Sequence, residues 1–277
     1  MTLTGIAALN LTHRPWRTGL TLLGVVLAIA AYVALLGLVK GIEGTLVESF
    51  SSRGTDVVLT EAGAADVLSS VVPVGLVDEV AQVEGVAAAA PELGRMTTVG
   101  ENTTSFIIGW PADAFGMRAM EIVEGRFPLP EDRTETVAGG ITLGTRLAER
   151  LDVGVGDLVE VFATDFVVTG LYTSEGVMAM NGALTLIEDM QAQTYRDGQA
   201  TSIVVQLSDD LSPVERDAAI ARLSERFPDL SVDPTETLVQ EYSNLRIATI
   251  LAWVVSTVAV ASAALAVLNT MAMAVNE

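Results

Sequence analysis

Two pairs of neighbouring carboxylates, Glu131 with Asp132 and Asp209 with Asp210, come nearest in type and spacing to residues that could do chemistry. Such pairs serve as general acid and base, or as hard oxygen ligands for calcium. Here they sit among Ser, Pro and Arg in stretches that read as turns. Neither has the ligand spacing of an EF-hand loop, so solvated loop charge is the favoured reading. The chain has one histidine, His13, and no cysteine. That leaves no His and Cys set for zinc and no histidine-activated nucleophile beyond the first few residues. No G-x-x-x-x-G-K-[ST] loop is present to cradle phosphates. The expectation is a chain that is not an enzyme, with no catalytic residue, no metal site and no cofactor of its own.

What the remaining residues must build follows from hydropathy and charge. The 277 residues are 50% hydrophobic with mean hydropathy +0.47, yet the net charge is -20. Greasiness and acidity therefore occupy different segments. Thr18 to Val39 holds no charged residue, and a helix of about 22 residues spans about 33 Å, enough to cross a bilayer. Ile247 to Val275 is likewise uncharged and longer. Between Glu43 and Arg246 lie all but one of the 35 acidic residues and all but three of the 15 basic ones. This segment is expected to be a separate water-facing domain.

Arg14 and Arg17 precede the first span in a stretch with no acid, which by the positive-inside rule puts that end in the cytoplasm and the acidic domain outside. Trp16 and Trp253 stand where indole rings favour the membrane interface, or are ordinary bilayer-buried aromatics. The first apolar core, about 21 residues, exceeds the ~7–15 of a signal peptide, favouring an uncleaved anchor. With no cysteine the outer domain holds itself together by its own core, which roughly 200 residues can supply. The negative charge argues against nucleic acid as a partner.

The outer domain divides by periodicity. TDVVLTE (Thr55 to Glu61) reads as a strand, PVGLVDEVAQVEG as a helix burying Leu76, Val77, Val80 and Val83, and VAAAAPEL as a short strand stopped by Pro91. The order recurs near the end. TSIVVQLS is a strand, SPVERDAAIARLSERFP a helix with Ser212 at the N-cap, Pro213 in its first turn and Glu215 closing a capping box, and DLSVDP a strand. That helix should bury Ile220, Leu223 and Phe227. Between them TTSFIIGW, VAGGITLG, DLVEVFA and FVVTGLY read as strands, with a hairpin over Asp157 to Tyr172 turning at Thr164 and Asp165 and a short helix at TRLAERL. The expected fold class is an α+β membrane protein: two transmembrane helices flanking a two-lobed extracytoplasmic domain, an α/β lobe built from both ends of the segment and an inserted β-rich lobe.

The basic lead NLTHRPWRTGLTLLGVVLAIAAYVALLGLVKG, then TDVVLT, VEGVAAAAPEL, IIGWPADAF, IVEGRF, ITLGTRLAERLDVGVGDLVEV, FVVTGLY and LNTMAMAVNE, taken in order, resemble the MacB/FtsX-like family of ABC transporter permeases. The resemblance is collinear over essentially the whole chain, although each piece alone is common. It implies a cytoplasmic elbow over 1–17, transmembrane helix 1 over 18–39, and stalks over 40–54 and 236–246. It places the α/β lobe at 55–94 and 187–235, the inserted lobe at 95–186, transmembrane helix 2 at 247–273 and the start of a cytoplasmic loop at 274–277. The resemblance also implies partners: a cytoplasmic ATPase that binds ATP and Mg, a second permease protomer, a periplasmic adaptor or client protein, and inner-membrane lipid. The ATPase would move the outer domain through the stalk for lipoprotein, peptide or small-molecule export. Family members carry four spans and a coupling segment after the second, so Glu277 reads as a truncation point.

Small residues in the spans, Gly24, Ala28, Gly37 and Gly41 in the first and Ala259, Ala263, Ser262 and Ala266 in the second, allow close helix approach, or reflect how common Gly and Ala are in such helices. Met178 and Met180 in EGVMAMNGAL belong either to an adaptable loop that touches a client or to a folded-in connection. Two functions stay open: the permease subunit, and a two-span receptor whose outer domain senses a ligand.

Overall fold

The computed structural model of the chain describes residues 53–174 and 177–235, with isolated positions in the two terminal segments. The chain divides into two units, Met1–Ile42 with Ser243–Glu277, and Glu43–Tyr242. Among the described residues no helix is long and apolar enough to cross a membrane. Apart from single helical positions such as Gly37 and Trp253, the two expected spans lie outside the described residues.

In chain order the described elements are β1 (Val57–Glu61), β2 (Val72–Pro73), α1 (Val77–Ala81), β3 (Val86–Val99), β4 (Thr103–Trp110), α2 (Phe115–Arg118), β5 (Glu121–Gly125), β6 (Gly140–Gly144), α3 (Thr145–Leu151), β7 (Leu158–Val161), β8 (Thr164–Thr173), α4 (Val177–Met180), β9 (Ala183–Leu186), α5 (Ile187–Thr194), β10 (Gln199–Ala200), β11 (Ser202–Leu207), α6 (Pro213–Arg226) and β12 (Leu230–Pro234). One ten-stranded sheet runs β12-β1-β11-β3-β4-β9-β6-β8-β5, with β7 against β3 and β8; β10 and β2 form a separate two-stranded ribbon.

The first four strands of that order are antiparallel throughout. Their connections through α1 and α6 make a split β-α-β pattern whose second and third strands are separated by the insertion. Apolar residues at alternate positions of β1 and β11 (Val57, Leu59, Ile203, Val205) face α1 and α6, which contribute Val80, Ala219 and Leu223 to one core. Leu76, Val77, Val83 and Ile220 pack at its margin and Phe227 is buried in it, as their helical spacing predicts. Helix α6 starts as the sequence specifies: the Ser212 hydroxyl accepts from Glu215 N–H, the Glu215 carboxylate accepts from Ser212 N–H at 2.8 Å, and Pro213 occupies the first turn.

The insertion adds β4 antiparallel to the second half of β3, then β9 parallel to β4, β6 antiparallel to β9 and β8 parallel to β6. Helices α3 and α5 close one face with Leu147, Ala148, Ile187 and Met190 over Ile107, Ile141, Leu143 and Phe166. A third core lies on the other face where the two parts meet: Ala90 and Val204 from the split pattern against Ile108, Trp110, Tyr172, Leu184 and Leu186 from the insertion.

Two local expectations are corrected. Pro91 does not stop its strand; β3 runs 14 residues, to Val99. Over Val86–Glu92 β3 pairs with β11 alone, so it is an edge at Pro91 and a missing N–H leaves no ladder bond unmade. The β7–β8 hairpin turns two residues earlier than expected, at Phe162 and Ala163, whose φ values are 55° and 60°. Thr164 and Asp165 already pair with Val161 and Glu160. Two left-handed residues in a two-residue loop follow the strands' twist, but the sequence lacks the Asn-Gly signature that would mark it. Strands β5 and β9 and helix α5 have no counterpart in the periodicity reading, since four- or five-residue apolar runs are weak signals.

Candidate functional site

The most unusual chemistry in the described domain is a charged pair inside the third core. β3 passes Glu92 at the point where its partner changes: Glu92 pairs with Ser202 of β11, and the next residue, Leu93, pairs with Gly109 of β4. Side chains alternate along β3, so Glu92 shares a face with Ala90 and points into the core that joins the two parts. Arg53, at the point where the described chain begins, donates from Nη1 to Glu92 Oε2 at 3.2 Å, and the two side chains are 3% and 2% exposed. The guanidinium lies 5.7 Å from the centre of the Trp110 ring, within cation-π range. Gly116 is packed under that ring so closely that a Cβ would lie 2.6 Å from Cη2, which fixes the indole plane.

Burial holds the Glu92 carboxyl above its ordinary pKa of 4.5, and the Arg53 charge and the nearby Trp110 indole pull against that rise. The indole faces Glu92, and among the described residues neither Trp110 Nε1 nor the Ser202 hydroxyl, both buried, has a partner at full hydrogen-bond geometry. Tyr172 lies in the same core, its hydroxyl donating to the Ala179 carbonyl at 2.7 Å and its pKa pushed up by burial. The backbone at this point is bridged by Thr201, whose hydroxyl donates to the Glu92 carbonyl at 2.9 Å and accepts from Gly94 N–H at 2.9 Å.

Just beyond Arg53 the chain is clasped to its own exit. Thr235, after β12, donates from N–H to the Asp56 carbonyl at 2.9 Å and from its hydroxyl to the Thr55 carbonyl at 2.8 Å. Asp56 also accepts from Leu207 N–H at 2.8 Å and from Arg216 of α6 at 3.1 Å. The chain thus enters and leaves the domain at one point.

A second buried charge sits at the far side of the inserted part. Asp189 of α5 is fully buried and accepts from Arg133 Nε at 2.8 Å, its carboxyl held above the usual range by burial against the pull of Arg133. Asp132 accepts from Arg126 Nη1 and Leu129 N–H, both at 2.8 Å, and the Arg126 bond depresses its pKa. These pairs brace the β5–β6 connection against α5.

The cavity beside Arg53 and Tyr172 holds about 10 Å³, room for one water at most. The larger hollow of about 450 Å³ at Gly125, Val155 and Thr169 is an open surface groove. Among the described residues no His, Cys, Asp and Glu cluster could hold a metal.

The residues singled out from the sequence fall elsewhere. Arg14, Trp16, Arg17, Gly24, Ala28, Gly41, Ala259, Ala263, Ser262 and Ala266 lie outside the described residues, as does His13. Gly37 is helical, with nothing within 4 Å of a Cβ placed there. Asp209 and Asp210 are exposed in a turn, and Asp132 serves the brace. Met178 and Met180 belong to α4, whose backbone is folded in: the Met180 carbonyl packs on Gly144, the Ser105 hydroxyl donates to the Asn181 carbonyl at 2.7 Å, and Arg150 bonds the Asn181 side chain. The Met178 side chain is outside the described part. The Arg53–Glu92 pair was missed. Its signal was Glu92 alone in the apolar run VAAAAPEL, a charge where an alternating strand has only core to offer.

Residues 18–225 match the family described as the MacB-like periplasmic core domain. Relatives include the macrolide export ATP-binding/permease protein MacB of Rhodospirillum rubrum, 32% identical over 62% of this chain and 28% of its own length. Another is an uncharacterized ABC transporter permease of Mycobacterium tuberculosis, 29% identical over 91% of this chain and 69% of that one. The chain spans about a quarter of the length of the MacB relatives it matches, 27% in Nitrobacter winogradskyi. Among solved structures the periplasmic region of MacB from Actinobacillus actinomycetemcomitans superposes with TM-score 0.51 at 14% identity, covering 69% of this chain and 95% of that one. With three quarters of its length inside the family match and the same fold in the MacB periplasmic region, the chain belongs to the MacB/FtsX-like family of ABC transporter permeases with a MacB-like periplasmic core domain.

Proposed function

We propose that the chain is a non-enzymatic permease component of a MacB-like ABC transporter. Its folded domain stands outside the cytoplasmic membrane between spans at 18–39 and 247–273, with both ends in the cytoplasm. A separate ATPase, binding ATP and Mg, drives movement of that domain through the two stalks for export of a lipoprotein, peptide or small molecule, in a dimer with a second permease protomer. A periplasmic adaptor or client protein is the natural partner outside. The clasp of Thr235 on Thr55 and Asp56 carries this reading: force arriving along either stalk meets the domain at one place, beside the Arg53–Glu92 pair. The family match favours this permease over a two-span receptor.

The chain has no native cysteine, so topology is testable directly. Tyr195→Cys, at a position 94% exposed, should be labelled in intact cells by a membrane-impermeant maleimide. Glu277→Cys should be labelled only after lysis. Labelling of both from outside, or recovery of the detergent-solubilised protein without any ATPase, would overturn the proposal.

A further inference from the structure

We propose that the outer face of the β7–β8 hairpin docks an extended basic segment of a partner protein: an apolar side chain of that segment enters the groove beside Val167, and a Lys or Arg two residues on meets Glu160 and Asp165. β7 and β5 lie one after the other along the same edge of β8, β7 against Thr164 to Val167 and β5 against Gly170 to Thr173, while β6 takes the other edge. The groove of about 450 Å³ opens between them, lined by Gly125, Gly156, Val155 and Val167. Both glycines hold positive φ, 73° and 96°, where a side chain is unfavourable, so the groove keeps its width. Along β7, Val159 and Val161 enter the core, and Leu158 and Glu160 therefore point away from it. Leu158 stands opposite Val167 and is 54% exposed, and Val155 is 39% exposed. Among the described residues this apolar strip is left open to solvent.

The charges beside the strip say what covers it. Glu160 and Asp165 are directly opposed across the hairpin and both are exposed. Like charges placed opposite one another weaken a strand pair. Among the described residues no salt bridge reaches either carboxylate, and Arg126, the cation of the groove, is already paired with Asp132. The pair thus costs the hairpin stability and offers a ready site for a cation. A second copy of this chain, with net charge -20, would meet the carboxylates with repulsion, as would an anionic membrane. Val167 and Asp165 are two residues apart on one strand, about 7 Å. That is the spacing of alternate side chains in an extended peptide, so the segment that fits reads apolar-x-basic. That a partner meets this face outside the membrane rests on the proposed function; the surface itself does not.

The test selects a random peptide library displayed on phage against the full chain in zwitterionic lipid nanodiscs, with Leu158→Glu as the counter-selection. The retained peptides should share an apolar residue with Lys or Arg two positions on, and should bind more weakly as salt is raised. Glu160→Lys should weaken them roughly tenfold, the effect of reversing one of two charges that meet the peptide. The same substitution should raise the denaturation midpoint, because Asp165 then faces an opposite charge. A pool with no basic bias, no retention above the Leu158→Glu control, or binding indifferent to Glu160→Lys would overturn the proposal. So would a lowered midpoint in Glu160→Lys, since the opposed carboxylates would then cost nothing. Dimers of the parent that Leu158→Glu dissociates would give the face to a second copy and overturn it too. Neither an ATPase nor the membrane topology enters this selection, so its failure leaves the proposed function to its own test.

Discussion

Glu92 sits where a carboxylate is least welcome, and its protonation is a direct readout of how the junction core treats charge. Because burial lifts its folded pKa above 4.5, there is a pH window opening at about 4.5 in which the folded state keeps a proton that the unfolded chain has lost. In that window the folded state binds more protons, so stability falls as pH rises, by at most about 1.4 kcal/mol per pH unit for one group, until the folded pKa is passed. Glu92→Gln cannot titrate. The stability of the parent relative to this variant should therefore decline as pH is raised from 4.5, seen as converging or crossing denaturant midpoints. A constant difference across the range would show that Arg53 and Trp110 compensate the burial fully. Asp189 is raised in the same sense and remains in both proteins, so subtraction removes it. The sequence reading ends the strand at Pro91, one residue short of Glu92, and leaves Glu92 without a partner, because Arg53 lies 39 residues away and no local period links them.

The elements show which signals travel through local chemistry and which do not. The start of α6 was legible to the residue, since Ser212, Pro213 and Glu215 satisfy the first-turn N–H groups without help from elsewhere. The end of β3 was not, because whether a proline breaks a strand depends on which edge is paired, a property of the assembled sheet. The β7–β8 turn was placed two residues late for a related reason: tertiary packing of Phe162 against the inserted core holds Phe162 and Ala163 at positive φ. An L residue in that conformation is strained by about 1–2 kcal/mol. Ala163 is exposed, so Ala163→Gly removes strain and no contact. Allowing for glycine's greater unfolded entropy, it should stabilise by about 0.5–1 kcal/mol. That corresponds to a Tm rise of about 1–3 °C by calorimetry; a lower Tm would show that the turn is not strained.

At the scale of the molecule, the split β-α-β part and the insertion share one ten-stranded sheet, and the energetic question is whether they are separable. The split β-α-β part has helices on one face only; its other face is covered by Ile108, Trp110, Leu184 and Leu186 from the insertion. β3 belongs to both, and Glu92 is desolvated by both. Unfolding either part would bare the third core of the other and open the site to water, so the two should melt together. Trp110→Ala tests this because it removes the largest shared side chain, at a cost of about 3–5 kcal/mol. Native-state hydrogen exchange should show the loss equally in the slow amides of β1, at Val57 to Leu59, and of β6, at Ile141 to Leu143, on opposite sides of the junction. Loss confined to β6 would mean that the insertion opens by itself, and that the junction core is a contact between independent folding units instead of the middle of one.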